Sequence, residues 1–105
     1  MPARANRRVK FTAEADDDIA SAYYWYEERE IGLGEEFLRA IAARISLILR
    51  HPEMFPVALD NVRRAILRRF PYEIFYEVVE NDLIVHAVFA CSQDPERWKR
   101  PLRTP

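Results

Sequence analysis

Two apolar runs in the second half of the chain, separated by only three residues, most constrain its fold. They extend from Tyr72 to Val79 and from Leu83 to Cys91, and the Asn and Asp of the intervening Glu80-Asn81-Asp82 tolerate the backbone geometry of a tight turn. A third apolar run, Val62 to Phe70, follows a proline-bounded loop, Pro52 to Asn61. We therefore predict that these three runs are strands of an antiparallel β-sheet.

The first half of the chain predicts two helices after a short strand. Residues 8–12 alternate as a strand does, and Thr12 precedes four acidic residues, as expected of an N-cap before a first turn that complements the helix dipole. The first helix continues to about Glu30, with Gly32 as its stop signal. The second runs from about Gly34 to Arg50, because the following His51-Pro52 disfavours helix. We expect an antiparallel helical hairpin.

The predicted fold class is therefore α+β, with the helical hairpin packed on one face of an antiparallel sheet in the order β-α-α-β-β-β. Asp94 before Pro95 is typical of a helix start, so a short helical turn is expected at Asp94 to Trp98. At 105 residues the chain is expected to form a single domain, residues 1–105. We predict a cytoplasmic protein, because neither a signal peptide nor an apolar run of membrane-spanning length is visible.

Composition excludes several classes of chemistry. The only two glycines, Gly32 and Gly34, share one loop, which leaves no glycine-rich phosphate cradle. Cys91 is the only cysteine, and the two histidines, His51 and His86, are far apart, so no metal-ligand spacing exists. No nucleophile stands beside either histidine, and Cys91 is best read as a small hydrophobe. We expect no cofactor, no metal and no residue of a nucleophilic enzyme.

Charge is distributed unevenly along the chain. The net charge is −1, which lacks the electrostatic footprint of a dedicated nucleic-acid binder, but residues 61–105 carry 8 basic and 6 acidic side chains, a net +2. Strand alternation would put Arg64 with Arg68 on one sheet face and Arg63 with Arg69 on the other. The cluster is either an anionic contact or a charged edge that discourages aggregation. Composition does not choose between them.

The predicted sheet carries more apolar residues than one helical hairpin covers. Strand alternation leaves Phe75, Val79, Ile84 and Val88 on the face away from the helices. Exposed apolar patches of this kind usually mark an interaction site, so these four residues are predicted to bind a partner polypeptide. Two alternatives remain: the C-terminal segment with Trp98 and Leu102 folds back over this face, or the protein pairs with itself.

The motifs of the second half resemble a known toxin superfamily. They are Val62-Arg63-Arg64, then Arg69-Phe70-Pro71-Tyr72-Glu73-Ile74-Phe75-Tyr76, then Val85-His86-Ala87-Val88-Phe89, and finally Asp94-Pro95 with Trp98. This combination resembles the RelE/ParE superfamily of type II toxin–antitoxin systems, particularly its ParE-like plasmid-stabilisation branch. The resemblance implies a cognate antitoxin that winds around the toxin. It also implies one of two targets, since RelE-like members cut mRNA on the ribosome and ParE-like members inhibit DNA gyrase.

The basic and aromatic residues that the resemblance implies for RNA cleavage are not retained. The corresponding positions in this chain are occupied by Glu73, Gln93 and Lys99. Loss of such charge stabilisation lowers the rate of cleavage about 10²–10³-fold per group. Relatives in the ParE-like branch often have a histidine and an arginine in the turn before Asp94-Pro95. This chain has Ala90 and Gln93 at those positions. We therefore predict gyrase inhibition without catalytic residues. The alternatives are a ribosome-dependent ribonuclease and a degenerate toxin that only binds its antitoxin.

Two sets of site residues follow from this reading. The residues predicted to bind the target are Arg64, Arg68, Arg69, Arg97, Trp98, Lys99 and Arg100. The residues predicted to bind the antitoxin are Phe75, Val79, Ile84 and Val88. We expect no membrane partner and no sequence-specific DNA binding by this chain alone.

Overall fold

The helices and strands follow in the order that the sequence predicts, with one additional strand. The structure is a computed structural model and describes residues 7–91. Its elements are β1 (Arg8–Phe11), α1 (Ala13–Arg29), α2 (Leu33–Arg50), β2 (Val57–Leu59), β3 (Val62–Ile66), β4 (Tyr72–Val79) and β5 (Asp82–Ala90). The helical turn predicted at Asp94 to Trp98 lies outside the described residues.

The five strands form one sheet in the order β1-β5-β4-β3-β2, and the α+β fold class is confirmed. Two details differ from the expectation. The first strand pairs in parallel with β5, which is possible because two helices separate β1 from the rest of the sheet and no tight turn dictates its direction. The second difference is β2, which pairs antiparallel with β3 inside the segment predicted as a loop.

A β-bulge in β5 decides which of its side chains face the helices. Phe75 pairs with Ala87 while Tyr76 pairs with Val85, so His86 is an extra residue in β5. Thr12 holds this bulge: its backbone N–H donates to the Val85 carbonyl at 3.1 Å and its hydroxyl donates to the His86 carbonyl at 3.0 Å. The same hydroxyl oxygen accepts from the Ala15 N–H, which confirms Thr12 as the N-cap of α1.

The two helices approach closely at the short connection between them. Gly32, with φ of 94°, precedes α2 and has no side chain to cap it. The Glu27 carboxylate of α1 performs this role, accepting from the N–H groups of Gly32 and Gly34 at 3.0 and 2.9 Å. A Cβ atom at Gly34 would lie 2.7 Å from ring carbons of Tyr23, so the contact between the helices requires glycine at this position.

The main core lies between the helical hairpin and the sheet. Its fully buried large side chains include Phe37 and Ile48 of α2, Ile74 of β4 and Leu83 of β5. The Phe37 ring packs against Phe70 with centroids 5.4 Å apart, and Tyr26 and Tyr72 complete this aromatic cluster. Each such side chain stabilises the fold by about 1.5–3 kcal/mol when it leaves water.

Buried Tyr76 fastens the loop between α2 and β2 to the sheet. Its hydroxyl donates to the Pro52 carbonyl at 2.6 Å, and burial raises the pKa of Tyr76 to about 12. Arg63 assists from β3, where its guanidinium donates to the Phe55 carbonyl at 2.7 Å. Arg63 therefore has a structural role in this loop.

Replacement of Gly34 by alanine should destabilise the protein although alanine is the better helix former. The added Cβ would meet the Tyr23 ring, and overpacking of this kind costs about 1–3 kcal/mol. Chemical denaturation of Gly34→Ala should show the loss. Adding Tyr23→Ala should remove the clash with the ring but leave the one with Glu27 Oε1 at 2.8 Å, so part of the loss should be recovered. A double variant that is destabilised by the full sum of both single changes would contradict this account.

Tyr76→Phe should reveal the buried phenol through the pH dependence of stability. At pH 7 the variant should lose about 1 kcal/mol with the hydrogen bond to Pro52. Between pH 10 and 12 the unfolded wild-type phenol ionises, whereas the folded one, with its pKa raised to about 12, keeps its proton. The wild type should therefore lose stability faster than the variant across this window. Denaturation curves that stay equally far apart from pH 7 to 12 would contradict the assignment.

Candidate functional site

The sheet face turned away from the helices, which we call the open face, is less apolar than the sequence predicts. Phe75 is 1% exposed and Val88 is 2% exposed, so the expectation that these two residues form a free surface is wrong. Val88 joins the main core because the bulge at His86 reverses strand alternation beyond it. One extra residue in a strand is expected to move every later side chain to the opposite face of the sheet.

Phe75 does lie on the open face, but a second small core surrounds it. Phe75 packs with Val62 and Ala87, and Ala58 and Leu59, from the segment around β2, pack against this cluster. Because the sequence analysis predicted a loop at this segment, it did not predict that Ala58 and Leu59 would pack against Phe75.

Val79 and Ile84 keep part of the predicted exposure. Val79 at the end of β4 is 42% exposed, and Ile84 of β5 is half-buried. Ile66 at the end of β3 is also exposed. These three residues are not part of the cluster around Phe75.

Two pairs of polar side chains cross the open face. Arg64 lies 3.5 Å from the Glu73 carboxylate, whose side chain is only 13% exposed. Between β4 and β5, His86 Nε2 lies 2.8 Å from Glu77 Oε1, and both side chains are one quarter exposed. These four polar side chains therefore already contact one another.

Cys91 at the end of β5 is an unreactive thiol in this setting. Burial and the neighbouring Glu73 carboxylate raise its pKa, so the thiol stays protonated at neutral pH. The sequence interpretation of Cys91 as a small buried hydrophobe is wrong about its burial, because the residue is exposed at the end of β5.

The predicted grouping of the second-half arginines is wrong. β3 ends at Ile66, before Arg68, so strand alternation does not extend to Arg68 and Arg69. Both of these residues lie on the far side of the molecule from Arg64, beside α2. Arg64 is engaged on the open face, whereas Arg68 and Arg69 help to form a different site.

That site is a groove of about 530 Å³ between α2 and the segment that follows β3, which we call the arginine groove. Five arginines line it: Arg39, Arg44 and Arg50 from α2, with Arg68 and Arg69 opposite. Its floor consists of Ala40, Ala43 and Leu47, and Glu36 lies at one end.

The groove carries a large excess of positive charge. Glu36, the one acid in its lining, pairs with Arg69 at 2.8 Å. Arg44 lies over the Phe55 ring at 5.8 Å, and Arg50 contacts the Ser46 hydroxyl at 3.5 Å. None of these contacts neutralises a charge apart from the pair with Glu36. Among the residues that the structure describes, the other four guanidinium groups have no ion-pair partner and can attract an anionic ligand.

Sequence reasoning missed the three arginines that α2 contributes. Their signal was present, because Arg39 and Arg44 flank the stripe of Ala40, Ala43 and Leu47 on a helix whose core face lies elsewhere. The proximity of Arg68 and Arg69 could not be read from the sequence, since these residues are some twenty positions away in the chain.

Exposed aromatic residues form a further surface on α1. Tyr24 is 64% exposed and Trp25 is 49% exposed, and the Arg29 guanidinium stacks 3.5 Å from the centre of the Trp25 ring. Tyr26, by contrast, points into the aromatic cluster of the main core.

Among residues 7–91, no group of three or more histidine, cysteine or acidic side chains is arranged to hold a metal. The helices in that part of the chain are too short or too polar to cross a lipid bilayer. The predicted target-binding residues Arg97, Trp98, Lys99 and Arg100 lie outside the described residues, as does Gln93.

Comparison with solved structures identifies several proteins of the same fold. A chain of the chromosomal ParDE toxin–antitoxin system from P. aeruginosa matches with a TM-score of 0.65 at 18% identity, covering 80% of this chain and 95% of that chain. The isolated E. coli RelE toxin matches with a TM-score of 0.61 at 14% identity, covering 92% and 97%. The RelBE2 toxin–antitoxin complex of Mycobacterium tuberculosis matches with a TM-score of 0.56 at 13% identity, covering 80% and 96%.

Comparison of the sequence with protein families agrees with this fold. No curated protein matches the sequence significantly. The family described as the ParE toxin of the type II toxin–antitoxin system parDE matches residues 9–95, which include every helix and strand described above except the first residue of β1. The resemblance drawn from the motifs is confirmed. The chain belongs to the ParE toxin family of type II toxin–antitoxin systems.

Proposed function

We propose that this toxin acts by binding and inhibiting DNA gyrase, and that a cognate antitoxin neutralises it. The single observation that carries the choice of target is Glu73. The family resemblance places an arginine of the RelE-like ribonucleases at this position, and the structure has there a carboxylate on the open face, paired with Arg64 at 3.5 Å.

A carboxylate at this position opposes RNA cleavage on physical grounds. The transition state of phosphodiester cleavage gains negative charge, which a nearby arginine stabilises and a carboxylate repels. Arg64 is not available to replace the missing arginine, because it already pairs with Glu73. The net charge of −1 also gives the protein little long-range attraction to RNA.

Family membership supports the existence of a cognate antitoxin, and so does the occurrence of two structural relatives in toxin–antitoxin systems. The P. aeruginosa relative belongs to a ParDE toxin–antitoxin system, and the M. tuberculosis relative is part of a toxin–antitoxin complex. We propose the cytoplasm as the site of action, where both gyrase and an antitoxin would be accessible.

We assign the contact with the target to the basic C-terminal residues Arg97, Trp98, Lys99 and Arg100. Of the predicted basic residues in the described part of the chain, Arg64 is engaged with Glu73. Arg68 and Arg69 lie in the arginine groove, which offers a different kind of surface.

One observation favours mRNA cleavage as a second candidate. His86 Nε2 and Glu77 Oε1 are 2.8 Å apart on the open face, and both side chains reach solvent. A carboxylate that orients an imidazole is a common arrangement for general acid–base catalysis. Within residues 7–91, no arginine or lysine forms a hydrogen bond or ion pair with either side chain, so we rank this function second.

Purified toxin should inhibit gyrase-catalysed supercoiling and leave mRNA intact in a reconstituted translation system. In cells, expression without antitoxin should cause filamentation and a DNA-damage response. Arrest of translation with cut mRNA would reverse the assignment, and His86→Ala should then lower cleavage by about 10²–10⁴ if the pair with Glu77 is catalytic. A folded toxin without effect on growth, gyrase or translation would instead indicate a degenerate member of the family.

Replacement of Arg97, Trp98, Lys99 and Arg100 together by alanine should abolish gyrase inhibition while antitoxin binding persists. The change removes three positive charges and one aromatic anchor, the residue types that most often dominate binding energy. Supercoiling assays and co-purification with the antitoxin measure the two properties separately. Unaltered inhibition by this variant would exclude the C-terminal segment from the target contact.

A further inference from the structure

The exposed side of α2 carries a second, regular stripe of residues that the core does not use. Glu36, Ala40, Ala43, Leu47 and Arg50 follow one another at spacings of four, three, four and three residues. At about 100° per residue these positions fall within roughly 40° of one line along the helix. This is the spacing of a seam between two packed helices.

The stripe is distinct from the face of α2 that enters the core. The core face consists of Phe37, Ile41, Ile45 and Ile48, all buried. Ala43 at the middle of the stripe is exposed, and Ala40 and Leu47 are partly exposed. The small alanine side chains would let the backbone of a second helix approach closely.

Arginines border the stripe on both sides. Arg39 and Arg44 stand immediately before Ala40 and after Ala43, which places them at the positions that flank a helix-packing seam. Arg68 and Arg69 form the opposite wall of the groove. In paired helices, charges at such flanking positions select partners of opposite sign.

We propose that the arginine groove binds an acidic amphipathic helix of a protein partner, which packs along α2. Small apolar residues of the partner helix would lie on Ala40, Ala43 and Leu47, with Asp or Glu side chains on either side facing the arginines. The stripe from Glu36 to Arg50 spans about 21 Å at 1.5 Å per residue, so the bound helix has about four turns. The inference rests on the proposed function in one respect, that the antitoxin is the partner that supplies this helix.

Charge and shape together favour a helix over nucleic acid. Four unneutralised arginines would attract either ligand, but phosphate backbones gain nothing from a floor of alanine and leucine. An amphipathic helix uses both the floor and the walls, since it buries its apolar side and pairs its acids with guanidinium groups.

Two designed peptides test the chemistry without knowledge of the antitoxin. Each is a 21-residue helix former with leucine and alanine at the seam positions, and the flanking positions are glutamate in one peptide and lysine in the other. Fluorescence anisotropy with the full-length toxin should show binding of the glutamate peptide alone, weakening as salt is raised. Equal affinity for both peptides, or binding of neither, would overturn the proposal.

Two kinds of toxin variant locate the binding. Arg39→Glu with Arg44→Glu should weaken the glutamate peptide at least tenfold, and Ala43→Trp should do so by filling the exposed floor while every charge is retained. Arg29→Glu, on α1 beside Trp25 and outside the groove, is the control for the single variant Arg39→Glu, because each of the two reverses one charge. Circular dichroism verifies the fold of each variant. Peptide binding that survives both groove variants, or a DNA or RNA oligonucleotide that binds the groove in place of the peptide, would overturn the proposal.

The same variants separate this inference from the proposed function. The cognate antitoxin should bind the wild type and the Arg29→Glu control, and bind Arg39→Glu/Arg44→Glu at least tenfold more weakly. Equal binding to all of them would refute the groove while leaving gyrase inhibition intact. A toxin that fails to inhibit gyrase but binds the glutamate peptide through its arginines would refute the function and leave the groove standing.

Discussion

The contact between Thr12 and the bulge of β5 determines how the two layers of this protein fit together. One side chain starts α1 and also binds the carbonyl group of the extra residue, His86, in the strand. The backbone of Thr12 binds the neighbouring carbonyl of Val85. The helix start and the change of strand phase are thereby fixed to each other. Because of that phase change, Val88 faces the helices and Ala87 faces away.

A second close contact joins the two helices of the hairpin. Gly34 permits α2 to approach the Tyr23 ring, and the Glu27 carboxylate caps the start of α2 across the connection. This contact holds the start of α2 against α1, and one side of α2 is left uncovered. The uncovered side is the one that carries Ala40, Ala43 and the flanking arginines.

The two faces of the molecule differ in their suitability for partners. On the open face, Phe75 is buried, Arg64 forms an ion pair with Glu73, and His86 contacts Glu77. The arginine groove has an apolar floor and excess positive charge. An anionic ligand that binds Arg64 on the open face must compete with its ion pair to Glu73, whereas one that binds the groove relieves repulsion among guanidinium groups. This difference in electrostatic cost underlies our assignment of the partner helix to the groove.

Local patterns were sufficient to predict the secondary structure, the fold class and the family. Apolar periodicity placed both helices within one residue or so of their observed limits, because helix periodicity and cap residues such as Thr12 act over a few neighbouring positions. The motifs around Phe70-Pro71-Tyr72 pointed to the toxin superfamily, which the match over residues 9–95 confirms.

Tertiary structure alone decided which of the predicted surface residues are free. Phe75 and Val88 were expected at an interface and are buried, since a bulge and a three-residue strand depend on pairing between distant segments. The same holds for the arginine groove, whose two walls come from α2 and from the segment after β3. Sequence determines the faces of each element, but the arrangement of elements determines which faces meet, because packing and strand pairing join residues that no local pattern connects.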